Sequence, residues 1–366
     1  MTHEADLQAA IAAAPDDDSP RLVYADWLLE RGDPRGELIS VLCASERLAA
    51  TDPRRRALEA SANRLLDRYG TTWTEPIRDR LGGHSVRWRR GMIEHVTVKV
   101  APLLERPELL LELCPLVRSV GVEAVGGQLP RVLEIPWIER LRAVDLSQCY
   151  LEDEAARLLA SCERLAGLES LELGSNAITD EGAAALAESA FLGRLVYLGL
   201  ETNRVEDDGA VAIAGNRTLT SLRELDLGEI NLGQMWGGNV IGPGGGVAVA
   251  GLSLSRLSLS GNTVGNETME ALAAAETAIK LKELRLARVG ATDAGLRAVA
   301  SSPRMSELRV LNLAANTFTD EGAQVLLDSP YLPDDLQLSL RVDPAWQQLT
   351  TETIEALLER YPALEV

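Results

Sequence analysis

Aromatic side chains are scarce: six Trp, six Tyr and two Phe make up 4% of 366 residues. A core of stacked rings is thereby excluded, so Leu, Ala and Val must fill the interior. Long apolar runs are missing too. Nothing approaches the roughly 18 residues that a membrane-spanning helix needs. The opening MTHEADLQ has neither a basic start nor an apolar stretch, so no secretory signal is read there and a cytoplasmic location is expected. Cys43, Cys114, Cys149 and Cys162 lack the spacing of metal ligands, as do His3, His84 and His95. They read as reduced thiols in a core and as isolated imidazoles. GxSxG, HExxH and P-loop patterns are absent. The Gly-rich Gly242–Gly246 is followed by no Lys-Ser/Thr pair and reads as a repeat helix altered by an insertion. No catalytic constellation, metal site or cofactor site is expected.

Charge is abundant but uneven. Residues 1–90 hold 14 Arg and 15 Asp/Glu, whereas residues 91–366 hold 22 Lys/Arg and 40 Asp/Glu, within an overall net charge of −19. An acidic surface repels phosphate backbones and anionic lipid, which argues against nucleic acid and membrane as partners. A protein partner with a basic or mixed surface fits better.

The dominant feature is self-similarity. LRAVDLSQC, LESLELGSN, LVYLGLETN, LRELDLGEI, LSRLSLSGN, LKELRLARV and LRVLNLAAN begin at Leu141, Leu168, Leu195, Leu222, Leu254, Leu281 and Leu308. The intervals are 27, 27, 27, 32, 27 and 27. Weaker copies lie at Ile93-Val96-Val98, at Val117-Val120-Val122 and at Leu338-Leu340. In each LxL segment alternation puts Leu inward and its neighbours outward, which predicts a short strand. Asn176, Asn203, Asn262 and Asn316 end strands, where an inward amide bridges backbone groups of adjacent turns. Asp153, Asp180, Asp207, Asn266, Asp293 and Asp320 read as caps of the Ala-rich helices that follow them. Gly182, Gly209, Gly295 and Gly322 then read as small residues that let helix and strand approach.

The pattern LxxLxLxxN/C is the signature of a leucine-rich repeat. Its ITDEGAxAL segment, Ile178–Leu186, and its TDEGAQVL segment, Thr319–Leu326, resemble the ribonuclease-inhibitor-like class. The resemblance covers about residues 91–366 and implies an α/β horseshoe-shaped solenoid, with parallel strands on the concave face and helices on the convex one. It implies a binding surface rather than a chemistry. Before the repeats, helices are expected from Asp18 or Ser19 to Gly32, over Glu37–Ala50, and from Asp52-Pro53 to Tyr69-Gly70. The string Asp16–Ile39, DDDSPRLVYADWLLERGDPRGELI, resembles the bacterial repeat-companion domain, a short module that precedes such repeats. It carries no established activity, and Tyr24, Asp26, Trp27, Arg35 and Glu37 read as a packed, salt-bridged helical hairpin. A β-hairpin over Ser85–Val98 should turn at Arg90-Gly91. The expected division is therefore a small all-α N-terminal domain over 1–82, the solenoid over 83–343 and a C-terminal helical cap over 344–366. Trp346, Leu357 and the helix Thr351–Tyr361 should cover the last turn.

Candidate binding residues follow from the strand frame. Outward positions of the middle turns gather Glu172, Tyr197, Glu201, Glu224, Asp226 and the nearby Glu229, with Arg256, Arg285 and Arg288 on the next turns. The face reads as acid followed by base. The long 32-residue interval leaves Gly233–Val240 as extra sequence carrying Met235 and Trp236. Trp236 reads equally as an anchor for a partner or as filler over a shortened helix. Together these features point to a non-catalytic protein-interaction scaffold. A regulator of a partner enzyme, such as a small GTPase, and a structural subunit of a larger bacterial assembly are the alternatives.

Overall fold

The computed structural model describes residues 3–49, 51–229, 238–341 and 349–365. These fall into two compact units, Met1–Asp145 and Leu146–Val366.

Unit 1 begins with four helices, α1 (His3–Ala13), α2 (Asp18–Leu29), α3 (Arg35–Glu46) and α4 (Pro53–Leu81). Asp17 caps α2 by accepting from the Ser19 N–H, one residue earlier than expected, and Asp52 caps α4 through the Arg54 N–H. The third helix does not stop at Gly70; it runs through Pro76 to the left-handed Gly82. Tertiary packing overrides the two breakers. Trp73 stacks on Tyr69 at 5.5 Å and meets the edge of Trp88 at 5.7 Å, while Ile77 and Leu81 are buried. The α2–α3 hairpin meets the expectation in part: Tyr24, Trp27 and Arg35 pack or pair, whereas Asp26 and Glu37 are exposed. Tyr24 is buried against Trp27 and donates to Glu4 Oε1 at 2.7 Å, and Arg35 pairs with Asp33 at 2.6 Å. With Ile11, Leu28, Ile39, Cys43 and Leu116, Tyr24 forms one apolar cluster.

Strands β1 (Ser85–Arg89) and β2 (Met92–Lys99) form the expected antiparallel hairpin. Both turn residues adopt positive φ, Arg90 at 48° and Gly91 at 79°, the geometry of a tight I′ turn. Short helices α5 (Val100–Glu105) and α6 (Glu108–Leu113) lead to β3 (Ser119–Glu123), and α7 (Leu129–Leu133) leads to β4 (Ala143–Asp145). Within the unit β2, β3 and β4 pair in parallel.

Unit 2 repeats strand, turn and helix with little variation. The helices are α8 (Asp153–Ser161), α9 (Asp180–Ala187), α10 (Asp207–Gly215), α11 (Pro243–Ala250), α12 (Gly265–Ala274), α13 (Asp293–Ala300), α14 (Asp320–Leu327) and α15 (Thr351–Arg360). The strands are β5 (Ser170–Glu172), β6 (Tyr197–Gly199), β7 (Glu224–Asp226), β8 (Arg256–Ser258), β9 (Glu283–Arg285), β10 (Val310–Asn312) and β11 (Gln337–Ser339). All pair in parallel and in register, so Leu171, Leu198, Leu225, Leu257, Leu284, Leu311 and Leu338 form one buried column. Each such Leu contributes about 1.5–3 kcal/mol on leaving water. This is a leucine-rich-repeat fold, with each strand starting one residue earlier than the alternation predicted.

Two polar ladders hold successive turns together. Asn203 accepts from the Ile178 N–H of the preceding turn at 3.0 Å and donates to the Leu173 carbonyl at 2.9 Å. Asn176, Asn262 and Asn316 do the same one or more turns away. The fifth member, Asn239, had been assigned to the insertion; it accepts from Val205 N–H and donates to the Leu200 and Leu227 carbonyls. The extra sequence therefore lies between Leu227 and Asn239. Helix α11, which Gly242–Gly246 opens, is not the shortened helix expected: at 8 residues it matches α9, α13 and α14.

The second ladder corrects the reading of the helix caps. The six acids and amides sit inside their own helices and cap the next one. Asp153 Oδ1 accepts from Thr179 N–H at 2.8 Å and Gly182 N–H at 3.1 Å; Asp180 Oδ1 accepts from Glu206 N–H at 2.7 Å and Gly209 N–H at 2.9 Å. Asp207, Asn266, Asp293 and Asp320 continue the series. A helix start has unsatisfied N–H groups and a partial positive charge, so a carboxylate from the turn before meets both. The glycines serve this contact, because a Cβ at Gly182 or Gly209 would come within 2.5 Å of the carboxylate oxygen.

At the C-terminal end α15 packs against α14. Leu357 is fully buried and Tyr361 donates to the Leu326 carbonyl at 2.9 Å. Glu365 bridges in parallel to Ser339, giving β11 a partner along its outer edge. Trp346 lies outside the described residues.

Candidate interaction surface

Register decides which side chains become neighbours on the strand face of unit 2. Tyr197, Glu224, Arg256 and Glu283 occupy one row, and Glu172, Gly199, Asp226, Ser258 and Arg285 the next. Adjacent strands lie about 4.8 Å apart, close enough for ionisable groups to act on one another directly.

Gly199 leaves a gap in the second row, and the Glu172 side chain lies across it; a Cβ there would collide with the carboxylate. Gly174 leaves a matching gap filled by Glu201. Tyr197 Oη donates to Glu172 Oε2, and Glu172 also shares a hydrogen bond with Glu201. Glu201 was expected to face outward and stand in solvent. It is only 7% exposed, and its Oε2 has no hydrogen-bond partner. Loss of water, then the adjacent Glu172 charge and the hydrogen bond to it, push the Glu201 carboxyl up to about 9. Two carboxyls this close hold one proton between them at neutral pH. Tyr197 is held well above the usual phenol range, first by burial and then by Glu172. Burial also raises Asp226, against the opposing Gly228 N–H, Ser258, Arg285 and Arg256.

Beyond this cluster the expected step from acid to base gives way to alternation. Arg256 contacts Glu224 at 3.1 Å and Glu283 at 3.0 Å, and Arg285 contacts Glu283 at 2.5 Å. The acid that neutralises the two arginines, Glu283, lies on the same row and was not singled out in the sequence. Glu229 is half-buried, packed between the positions of Gly238 and Gly261. Trp236 and Met235 lie outside the described residues. Thus Glu172, Tyr197 and Asp226, all half-buried, come together around the buried Glu201, Glu224 joins the ion-paired side chains, and Glu229 stands apart from both.

One exposed ring was missed. Tyr150 is 88% exposed in a left-handed turn at φ 57°. The signal was present: at the same offset other turns carry Ala177, Arg204, Thr263, Gly290 and Thr317. Among the described residues no group of three or more His, Cys, Asp or Glu has the arrangement of a metal site, and no helix is long and apolar enough to cross a membrane. The four cysteines are free thiols, three of them buried.

Comparison with known proteins agrees with the repeat. A family model described as Leucine Rich repeat matches residues 168–187, 252–273 and 306–327. No curated protein matches the sequence. Among solved structures, a Bacteroides fragilis protein is similar at 15% identity, covering 86% of this chain and 84% of its own, with a TM-score of 0.41. An internalin from Listeria monocytogenes is similar at 14% identity, covering 78% of this chain and 92% of its own, with a TM-score of 0.37.

Proposed function

We propose that this chain is a non-catalytic scaffold that binds a protein partner on the strand face of unit 2, with Glu172, Tyr197, Glu201, Glu224, Asp226 and Glu229 beneath or beside the contact and Trp236 as an anchor from the insertion. The observation that carries this reading is the ion-paired chain Glu224–Arg256–Glu283–Arg285, which spans two adjacent rows. These side chains sit at outward positions that the repeat does not need for packing, and they stay partly exposed. Their alternating sign favours a partner of mixed charge. Rim charges of this kind govern encounter and specificity more than affinity. We further infer a ribonuclease-inhibitor-like repeat class, a repeat-companion-type module over 1–82, a solenoid over 83–343 and a helical cap over 344–366. Free thiols favour a reducing, cytoplasmic compartment.

The test starts from a partner recovered from native lysate and titrated against purified full-length variants. Trp236→Ala should weaken binding by about 2 kcal/mol if the ring fills a pocket. Glu224→Arg should slow association and lessen its salt dependence. Wild-type affinity in both variants, at unchanged melting temperature, would move the contact off this face.

A further inference from the structure

Unit 1 contains a concentration of charge opposite to that of the strand face. Arg21 on α2 is 1% exposed, a rare state for an arginine. Its terminal nitrogens are engaged by Glu94 at 2.7 Å and by the Pro15 and Asp17 carbonyls, but its Nε has no partner. Arg21 and Glu94 line a cavity of about 210 Å³ together with Arg118, Arg140 and Arg142; Ile11 and Pro15 supply apolar wall. Four arginines therefore gather at one cavity, and its Glu94 carboxylate also holds Arg89 at 3.5 Å.

The backbone enforces this crowding. Arg118 N–H donates to the Glu94 carbonyl at 3.0 Å, and Arg142 N–H donates to the Arg118 carbonyl at 2.7 Å. Residues 94, 118 and 142 thus form one column at the entrance of β2, β3 and β4. Like charges side by side on neighbouring strands oppose folding. Arg118 and Arg140 have no carboxylate partner among the described residues; Arg140 donates instead to the Pro115 carbonyl at 3.1 Å. Burying a guanidinium with an unpaired Nε beside them adds a donor that only water or an anion can satisfy.

We propose that this cavity is a binding site for a phosphate group. Guanidinium forks pair with the oxygens of a tetrahedral anion in bidentate fashion, and several forks can share one such group. Size limits the ligand. The cavity holds about seven waters at roughly 30 Å³ each, and it falls below the roughly 300–1,000 Å³ of pockets that enclose whole small molecules. A phosphoryl head fits inside, and whatever bears it stays outside. The proposal is independent of the strand face and of its partner.

The test uses the full chain, inorganic phosphate and O-phosphoserine, followed by phosphorus NMR titration and by melting temperature against sodium chloride of equal ionic strength. The wild type should show a saturable phosphate-specific shift. Arg118→Gln/Arg140→Gln, both at half-buried or exposed positions, should weaken it by about tenfold or more, the loss of about 1.4 kcal/mol of binding. Arg131→Gln, outside the cavity, should leave it unchanged. Tighter binding of phosphoserine than of inorganic phosphate would support a phosphorylated side chain as the source, and the reverse order would support the free ion. Equal binding by the double variant, or no response beyond that to chloride, would overturn the site.

Discussion

The two units build parallel strands from the same apolar pattern but satisfy their polar groups differently. Unit 2 has 16 Lys/Arg against 32 Asp/Glu, yet much of that acidity is internal to the repeat. Asp153, Asp180, Asp207, Asp293 and Asp320 are bound by the N–H groups of the following turn. Burial and the neighbouring Glu172 drive Glu201 toward its neutral form. Unit 1 has 20 Lys/Arg against 23 Asp/Glu and, among the described residues, no comparable ladder of repeated side chains. It relies on individual contacts, such as Arg21–Glu94 and the Tyr69–Trp73–Trp88 stack. A periodic structure spreads its polar satisfaction over many equivalent bonds, whereas an irregular one concentrates it. Formal charge therefore misstates what each surface offers: unit 2 is less exposed in its acidity than its composition suggests, and unit 1 gathers four arginines around one cavity.

The contrast makes substitutions unequal. Arg21→Ala should be the most damaging, at about 3–5 kcal/mol, because removing one member of a buried pair leaves the other uncompensated. Chemical denaturation should show the loss in the transition assigned to unit 1. A loss under 1 kcal/mol would mean that unit 1 too distributes its polar bonds.

In unit 2 a single ladder member should cost less. Gly209→Ala pushes a methyl against Asp180 Oδ1 and should destabilise by about 1–3 kcal/mol. Asp180→Ala removes the cap itself and should cost about 0.5–2 kcal/mol. The double variant should cost less than the sum, since the closest clash goes with the carboxylate while that with Val205 Cγ1 at 2.8 Å remains. Strict additivity would show that Gly209 serves some other purpose.

The last effect is a matter of sign. Glu201 binds its proton more tightly folded, at about 9, than at its ordinary value near 4.5. The folded state holds more protons across that interval, so stability falls as pH rises from about 4.5 to about 9 and levels off outside it. Glu201→Gln should flatten this slope and make the variant relatively more stable at pH 8 than at pH 5. Unchanged slopes in denaturation midpoint against pH would mean that Glu201 titrates normally and presents a charge on the strand face.

Much of the fold was legible in the sequence. The period located every strand of unit 2 to within one residue, and Asn176, Asn203, Asn262 and Asn316 bridge turns as their position implied. Errors cluster where neighbours in space are distant along the chain. Tyr69-Gly70 signalled a helix end that packing of Trp73 and Ile77 overrode. Asn239 was hidden because an insertion had displaced it from its offset, although the Asn-x-Ile spacing to Ile241 matches that of Asn176 to Ile178.

What the sequence determined alone is whatever follows from backbone geometry acting over a few residues. Alternation set the inward leucines, the constant interval set the stacking, and turn residues at positive φ set the hairpin. Tertiary structure alone decided where polar side chains spend their bonding capacity. Whether Asp180 caps its own helix or the next, whether Glu201 keeps its charge, and which arginines share a cavity depend on residues more than twenty positions apart. Hydration settles those outcomes, because a carboxylate or guanidinium behaves according to the water it has lost and the partner that replaces it. No local pattern in the chain records that exchange.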